Sequence, residues 1–339
     1  MKLAATLRKV VRRSRNWLAY HRAGLLRGSE QVRERWTGAE PLEGRPKVCV
    51  FVHYDRRGTV HDFTLHYLEA LHAAGFAIVF VSNAPRLDER QRRRIAPFCA
   101  LMLRRANRGY DFGAYKDGIA AIPRLKGRDQ LLIANDSIYG PLQPLEAVLE
   151  KADPDRADVW GMTDSWEKSY HLQSYFVLFM KAALASEAFA SFWGSVRYLQ
   201  SKTEVIRRYE IGMAAALFRD GLRVKALYPY RQVAASVERQ LRNATALWAD
   251  QILPPSYGRW LRSIYDAIQS GAALNSTHFF WDVLLVEEKF PFIKRELLLR
   301  NPVGVPLLSR WPELVRQVSD YDVDLITDHL KLIARKKVF

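Results

Sequence analysis

An alternation of short apolar runs with helical segments is the feature of this chain that most constrains its fold. The runs KVCVFVHYD and FAIVFVSNA are rich in β-branched and aromatic residues, and they predict two strands with a helix over residues 59–74 between them. Further strands are predicted at residues 99–104 and in LLIAN. Strands buried on both faces and separated by helices are typical of parallel pairing with right-handed crossovers. The predicted fold class is therefore α/β, with a mostly parallel sheet flanked by helices.

The alternation continues to about residue 230 and then changes. Helices are predicted at residues 145–151, 182–200 and 204–220, and strands at residues 157–162, in LQSYFVLFM and in LRVKALYP. The remainder has helical patterns and few strand signals, whereas TGAEPLEGRP near the N-terminus is a predicted linker. We therefore divide the chain into a basic N-terminal segment with its linker (1–46), an α/β domain (47–230) and a helical C-terminal part (231–339).

The composition is that of an ordinary globular protein. Of the 339 residues, 49% are hydrophobic and 26% are charged, which is enough apolar material for a large core. Cys49 and Cys99 each lie in an apolar run, which favours packed thiols in a reducing compartment such as the cytoplasm. No long uncharged apolar run and no cleavable signal sequence is recognised, so a transmembrane helix is not expected.

Positive charge is concentrated at the N-terminus. The formal net charge is +16, and residues 1–36 contain ten lysines and arginines against two glutamates. Apolar residues recur there at near-helical spacing: Leu3, Leu7, Val10, Val11, Trp17, Leu18 and Leu25. Such a helix suits an anionic membrane surface, where each nearby basic side chain contributes about 1 kcal/mol; a helix docked on the protein's own body is the equal alternative. Nucleic-acid binding is not expected, because no motif of a known binding module accompanies the charge.

Residues 107–137 join a glycine-rich turn to a strand that ends at a carboxylate. Asp136 follows the apolar strand LLIAN directly. In open α/β sheets, ligands collect in the crevice beyond the carboxyl ends of the strands. Hard cations such as Mg²⁺ bind carboxylate and phosphate oxygens, often through only one or two protein carboxylates. Asp136 is therefore a candidate metal ligand, with a solvated loop acid as the alternative.

A helix start precedes this strand. Gly109, Gly113 and Gly118 surround it, Asp111 is a suitable N-cap residue, and residues 114–122 continue the helix. A helix N-terminus presents free NH groups and a partial positive charge to an anion, and a nearby lysine, Lys116, adds charge of the same sign. The segment is therefore a candidate nucleotide site, with ordinary glycine turns as the alternative.

Four segments follow one another in an order that resembles the inverting, nucleotide-sugar-dependent glycosyltransferases of the GT-A type: NRGYDFGAYKDG, LLIANDS, SYFVLFMKAALASEAFASFW and YEIGMAAALFRDGLRVKALYP. More specifically, the chain is similar to the rhamnan synthesis F family of polysaccharide and lipopolysaccharide glycosyltransferases. The segments that carry this likeness are GYDFGAYKDG, ANDSIYGPL, YEIGM and HFFWDVLLVEEKFPFIKRELLLRNP. The likeness covers most of residues 47–303 and implies a GT-A-like (Rossmann-like) fold for the α/β domain.

The resemblance implies roles for individual residues. Asp136 stands at the acidic motif that holds Mg²⁺ or Mn²⁺ against the donor diphosphate, although its neighbours Asn135 and Ser137 are not acids. Glu210 corresponds to the general base of inverting enzymes, and Asp164 is the competing candidate. The residues implied to line the nucleotide side of the cleft are Asn107, Gly109, Asp111, Lys116 and Asn135.

Two further places carry open alternatives. His53 and Asp55 end the first predicted strand, where they meet the nucleotide base or serve as ordinary loop residues. The cluster HFFWD, residues 278–282, contacts an acceptor sugar through its aromatic faces or packs in the core, and packing is favoured.

The expected function is that of an inverting glycosyltransferase acting at the inner face of the cell membrane. It would move a sugar from a nucleotide-sugar donor to a cell-surface polysaccharide or lipid-linked glycan, and the family name alone indicates L-rhamnose from dTDP-rhamnose. The alternative is a non-catalytic membrane-surface protein that keeps the fold and binds glycan or partner enzymes. That alternative stays open because Ile211 follows Glu210 where the resemblance calls for a second acid.

Overall fold

The structure is a computed structural model that describes residues 20, 23, 30–247 and 255–337. Within these residues a nine-stranded sheet forms the centre of the α/β domain. The strands, in chain order, are β1 (Val32–Thr37), β2 (Lys47–His53), β3 (Ala77–Ser82), β4 (Cys99–Arg105), β5 (Gln130–Asn135), β6 (Ile138–Tyr139), β7 (Val159–Ser165), β8 (His171–Leu172), β9 (Phe176–Met180), β10 (Val224–Tyr228) and β11 (Ile293–Lys294). The order across the main sheet is β1, β4, β3, β2, β5, β9, β7, β10, with β8 beside β7, while β6 and β11 form a separate pair.

Strand β2 lies in the middle of the sheet, with β3 and β5 parallel to it on either side. Residues 48–53 are all buried, as expected for a strand that is covered on both faces. Strands β1 and β9 run antiparallel to their neighbours, and β7 and β10 are parallel to each other. The predicted fold class, a mostly parallel sheet flanked by helices, is confirmed.

The edge strand β1 differs from the sequence-based expectation. Val32–Thr37 pairs antiparallel with β4, so these residues belong to the sheet, whereas the sequence assigned them to the basic N-terminal segment and its linker (1–46). Their sequence VRERWT places charged side chains along the strand, which suits an exposed edge. The predicted amphipathic stripe from Leu3 to Leu25 lies outside the described residues.

Helices pack on both faces of the sheet. Those of the α/β domain are α1 (Asp62–Ala73), α2 (Glu89–Ile95), α3 (Tyr110–Ala120), α4 (Leu145–Leu149), α5 (Lys181–Ala185), α6 (Glu187–Ser195), α7 (Lys202–Val205) and α8 (Ile211–Arg219), with a π-helical turn at Ile206–Glu210. Helix α1 belongs to one apolar layer, and α3 and α6 belong to the other. Helix α3 lies so close to β2 at Gly118 that an added Cβ would be 2.4 Å from Val50 Cγ1.

Two of the predicted helices are built from shorter pieces. The helix predicted at residues 182–200 is α5 followed by α6, because the Ser186 side chain caps α6 by accepting a hydrogen bond from the Phe189 NH. The helix predicted at residues 204–220 corresponds to α7, the π-helical turn and α8, and Gly221 follows its end with a φ of +77°.

The C-terminal part is helical, as predicted: α9 (Tyr230–Leu247), α10 (Pro255–Gln269), α11 (Ser276–Phe279), α12 (Trp281–Val286), α13 (Arg295–Arg300), α14 (Trp311–Val318) and α15 (Asp324–Lys337). The short strand β11 interrupts these helices and pairs antiparallel with β6. Because β6 follows β5 closely, this pairing brings the start of α13 to the carboxyl end of β5. Among the described residues, no helix is both long and apolar enough to cross a membrane.

Candidate functional site

The carboxyl ends of β2 and β5 meet at one edge of the sheet, and Asp136 lies there. Its backbone NH donates to the Val52 carbonyl of β2 at 3.1 Å, and its Oδ2 accepts from the Tyr54 NH at 3.4 Å. The same Oδ2 lies 3.2 Å from the guanidinium of Arg295, which also donates to the Asp136 carbonyl. Asp136 is therefore fixed at the edge where ligands of α/β sheets bind, and it has a basic partner.

Asp111 lies beside Asp136 in the first turn of α3. The N-cap of this helix is Gly109 and not Asp111 as predicted, because the cap has a φ of +79°, a left-handed conformation that glycine adopts without strain. Asn135 Nδ2 donates to Asp111 Oδ2 at 3.2 Å. Burial, together with the neighbouring carboxylates of Asp136 and Glu210, raises the pKa of Asp111 to about 6. The three carboxylates therefore lie near enough to repel one another.

Glu210 completes this group, which we call the carboxylate cluster: Asp111, Asp136 and Glu210. It ends the π-helical turn, a feature that is frequent at functional sites. Its Oε1 accepts hydrogen bonds from Ser174 N at 3.0 Å and Ser174 Oγ at 3.1 Å. Tyr115 of α3 donates its hydroxyl to the Ser174 carbonyl at 3.0 Å, so α3, the turn before β9 and the π-helical turn are joined beside the cluster.

Lys294, at the end of β11, is a basic residue of the site that sequence reasoning missed. Its Nζ lies 3.5 Å from the centre of the Tyr175 ring. Burial lowers the pKa of Lys294 to about 7, against the opposing effect of Glu210 and Asp111. The only local signal was the pair of basic residues after the apolar run FPFI, and nothing in that pattern tells which strand it would meet.

His53 and Asp55 have partners within the fold. His53 is 1% exposed, and its ring nitrogens lie 3.1 Å from Ser82 Oγ and 3.0 Å from the Thr59 carbonyl. Asp55 accepts a hydrogen bond from the Thr59 NH at 3.1 Å. Tyr54, between them, is 42% exposed and adjoins Asp136. The alternative of ordinary structural residues is therefore favoured for His53 and Asp55, and Tyr54 is the side chain that this strand end presents.

Lys116 fastens α3 to the end of α6. Its Nζ donates to the Val196 carbonyl at 2.5 Å and to the Gly194 carbonyl at 3.3 Å, which are free acceptors at a helix C-terminus. Burial lowers the pKa of Lys116. Asn107 is exposed in the loop before α3. The nucleotide-binding role of these two residues stays a prediction.

A buried ion pair stabilises the loop that precedes α3. Arg105 Nε lies 2.7 Å from Asp117 Oδ2, and the two residues are 1% and 4% exposed. Arg105 also donates to Asn83 Oδ1 at 2.7 Å and to the Arg108 carbonyl at 2.8 Å, and Tyr198 donates its hydroxyl to Asp117. This network sets the position of the turn that precedes the first NH groups of α3.

Asp164, the competing base candidate, ends β7 on the same edge of the sheet, with β9 between β7 and β5. Its Oδ1 accepts a hydrogen bond from the backbone NH of Tyr230 at 2.6 Å, at the start of α9. Burial raises its pKa. It also lines a cavity of about 320 Å³ together with Trp160 and Lys225. Asp164 thus has a structural role at a helix N-terminus, and its catalytic role stays a prediction.

The HFFWD cluster packs in the C-terminal part. Phe280 and Trp281 are 1% and 6% exposed. Phe279 stacks on Trp260 with ring centres 5.6 Å apart. The favoured interpretation of this cluster as core therefore agrees with the structure.

Asp136 is the residue through which a divalent ion would be held. Among the described residues, no group of three or more His, Cys, Asp or Glu side chains is placed to bind a metal ion. A Mg²⁺ or Mn²⁺ ion would therefore take one carboxylate from the protein and its other ligands from phosphate and water, as Mg²⁺ often does beside substrate phosphates. The partly buried Asp136 carboxylate at the sheet edge fits an ion of that kind.

An α/β sheet with charged side chains gathered beyond the carboxyl ends of its strands defines a class of proteins that bind small ligands at that edge. Within this class, the chain belongs to the rhamnan synthesis protein F family, whose model matches residues 78–254. This confirms the family resemblance found in the sequence.

Similar proteins include two curated relatives and a solved glycosyltransferase. The uncharacterized protein y4gN of Sinorhizobium fredii is 31% identical over 195 residues, which are 55% of this chain and 50% of y4gN, so the chain spans about half the length of that relative. Virulence protein VirA of Vibrio anguillarum is 29% identical over 291 residues, which are 83% of this chain and 88% of VirA. The crystal structure of the glycosyltransferase GlyE from Streptococcus pneumoniae TIGR4 is 11% identical with a TM-score of 0.40, covering 86% of this chain and 64% of GlyE.

Proposed function

We propose that this protein is a glycosyltransferase that takes its sugar from a nucleotide-sugar donor. The observation that carries the proposal is the carboxylate cluster at the carboxyl end of β5, beside the first turn of α3. Sugar transfer needs an acid–base carboxylate and positive charge near a diphosphate, and both are present at this edge. Membership of the rhamnan synthesis protein F family supports the same conclusion.

The donor would lie across the start of α3 and the end of β5. The hydrogen bond from Asn135 to Asp111 joins the end of β5 to the first turn of α3, so the diphosphate would lie here, with Mg²⁺ or Mn²⁺ on Asp136. A bound divalent ion supplies Lewis-acid stabilisation of the departing diphosphate. Tyr54, exposed beside Asp136, is the side chain best placed to stack on the nucleobase.

Glu210 is the proposed general base of an inverting reaction. An acceptor hydroxyl oxygen forms the new bond to the anomeric carbon while the bond from that carbon to the diphosphate oxygen breaks. The hydroxyl proton passes to Glu210, and the leaving nucleoside diphosphate carries away the bonding electrons. A positioned carboxylate contributes about 10² to 10⁴ in rate to such a step. The two hydrogen bonds from Ser174 hold Glu210 in one orientation, which is what this role requires.

The substrates are proposed from the family. L-Rhamnose from dTDP-rhamnose is the proposed sugar, and a cell-surface polysaccharide or lipid-linked glycan is the proposed acceptor. The proposed location is the cytoplasmic face of the cell membrane, reached through the basic N-terminal residues, which lie mostly outside the described ranges. An anionic surface would attract that segment by the eight basic side chains that precede β1.

A nucleotide-sugar screen tests the proposal. Each sugar nucleotide is added with Mn²⁺, and the thermal unfolding of the protein and the release of nucleoside diphosphate are measured. A donor at about 100 times its dissociation constant should stabilise the fold by about 2.7 kcal/mol. The Glu210→Gln variant should keep this stabilisation and lose about 10² to 10⁴ in transfer rate. Glu313→Gln, on an exposed helix, is the matched control and should behave as the unmodified protein. If Glu210→Gln transferred sugar at the rate of the unmodified protein, Glu210 would not be the general base.

A second candidate function is a non-catalytic protein of the same fold that binds glycan. The observation that favours it is Ile211, which stands beside Glu210 where the motif of the enzymes has another acid. Such a protein would show no stabilisation by any nucleotide sugar and no release of nucleoside diphosphate, but would bind a glycan in a pull-down with immobilised polysaccharide.

A further inference from the structure

The guanidinium of Arg295 has a hydrogen-bonding capacity that the described residues do not use. One of its terminal nitrogens pairs with Asp136, whereas Nε is buried and has no hydrogen-bond partner among the described residues. The guanidinium carbon lies 5.0 Å from the centre of the Phe63 ring, which holds the group in place. The side chain as a whole is 18% exposed although Nε is covered, so an anion at the end of β5 would meet the terminal nitrogens of this guanidinium.

Lys294 brings a second cation to the same place. Its Nζ lies 3.5 Å from the centre of the Tyr175 ring, and the carboxylates of Glu210 and Asp111 are near enough to oppose the lowering of its pKa by burial. The lysine therefore belongs to the same site as the carboxylate cluster. Without Lys294 and Arg295, the three carboxylates of the cluster would repel any diphosphate that approached the end of β5.

Backbone pairing fixes both cations relative to the sheet. Lys294 pairs with Ile138 across β11 and β6, and the Arg295 NH donates to the Ser137 carbonyl at 3.0 Å. Arg295 and Asp136 are 159 positions apart in the chain, yet these backbone contacts hold them together. The helical C-terminal part therefore supplies two of the charged groups at an edge that otherwise belongs to the α/β domain.

We propose that Lys294 and Arg295 form the diphosphate subsite of the donor pocket and bind the phosphate oxygens of a nucleoside diphosphate directly. The proposal rests on the proposed function, because it names the part of the donor that this pair contacts. A guanidinium binds phosphate through a planar fork of donors, and an ammonium adds a compact point charge, so the pair can neutralise charge that develops on the leaving diphosphate. The pair and a metal ion on Asp136 would act on the same phosphates.

Calorimetric titration of the full chain with dTDP, UDP and GDP tests whether the pair binds diphosphate. Each nucleotide is titrated once with Mn²⁺ and once with a chelator. Arg295→Ala and Lys294→Met should each weaken diphosphate binding about tenfold or more. Arg300→Ala is the matched control, because Arg300 ends the same helix on the exposed surface, and it should bind as the unmodified protein does. The corresponding nucleosides, which lack phosphate, should bind all variants equally.

The outcomes separate this inference from the proposed function. If the unmodified protein binds a diphosphate and Arg295→Ala and Lys294→Met bind it equally well, the pair does not form the diphosphate subsite. The proposal that the protein is a glycosyltransferase would then still stand. No binding of any diphosphate by the unmodified protein would overturn both. Circular dichroism checks that each variant is folded. If Arg295→Ala does not fold, Arg295→Lys keeps the charge without the fork and should bind more weakly than the unmodified protein, and Lys294→Met tests the pair independently.

Discussion

Asp111 gives the sharpest test of the site's electrostatics, because the structure couples its charge to stability. Burial and two neighbouring carboxylates raise its pKa from 3.8 to about 6. The pKa in the folded protein is therefore higher by roughly 2, and a pKa difference of 1 corresponds to about 1.36 kcal/mol. The ionised carboxylate thus destabilises the folded state by up to about 3 kcal/mol. Asp111→Asn removes this charge and keeps an oxygen that can accept the hydrogen bond from Asn135.

The sign of the pH dependence follows from the raised pKa. Between about pH 4 and pH 6 the folded protein binds more protons at Asp111 than the unfolded chain does, so a rise in pH destabilises the fold. Above pH 6 the full cost is present. We therefore expect Asp111→Asn to match the unmodified protein near pH 4 and to exceed it by up to about 3 kcal/mol near pH 7.5.

Urea unfolding of both proteins across this pH range measures the difference. Asp158→Asn is an informative control, because hydrogen bonds from Arg223 lower the pKa of Asp158. A carboxylate whose pKa is lowered by folding stabilises the fold at pH values above its pKa in the unfolded chain. Asp158→Asn should therefore be less stable than the unmodified protein near neutral pH, and the difference in unfolding free energy should decrease as the pH falls. Parallel stability profiles for Asp111→Asn and the unmodified protein would refute the argument that Asp111 is desolvated beside two other carboxylates.

Two further predictions concern the support of the site. Asp117→Ala leaves the buried Arg105 guanidinium without its ion partner and should cost about 3–5 kcal/mol in urea unfolding, and a cost below about 1 kcal/mol would contradict the described network. Gly118→Ala should cost about 1–3 kcal/mol, because the added methyl group meets Val50. Gly194→Ala is its matched control, a helical glycine with open space around it, and should stabilise by roughly 0.5–1 kcal/mol.

The main elements of the α/β domain could be predicted because their signals are local. The apolar runs of β2, β3 and β5 are buried strands in the structure, and helices α1 and α3 begin and end near their predicted limits. Strand β1 was missed because its charged residues continue the composition of the basic segment before it. Strand β11 was missed because two residues carry no periodicity that could be read.

In the candidate site, too, the residues in local motifs could be predicted, and those placed by the tertiary fold could not. Asp136 and Asp111 lie near the chain's most distinctive motif, and Glu210 could be placed by its resemblance to a known motif. The local pattern at the end of β2 did not reveal that His53 would turn inward and Tyr54 outward, since that depends on which face of the strand is covered. The sequence likewise did not reveal that the Lys116 ammonium reaches carbonyls at the end of another helix, and its nucleotide role stays a prediction.

The sequence by itself determined most strands and helices of the α/β domain, the family and the position of the acid that follows β5, because apolar periodicity and short motifs act over a few neighbouring residues. Only the tertiary structure decided that Lys294 and Arg295 stand beside that acid. Their place depends on the pairing of β11 with β6, and a contact between residues 159 positions apart leaves no trace in either local sequence. The charge balance of the site is thus a property of the folded chain, because charges act through space and not along the sequence.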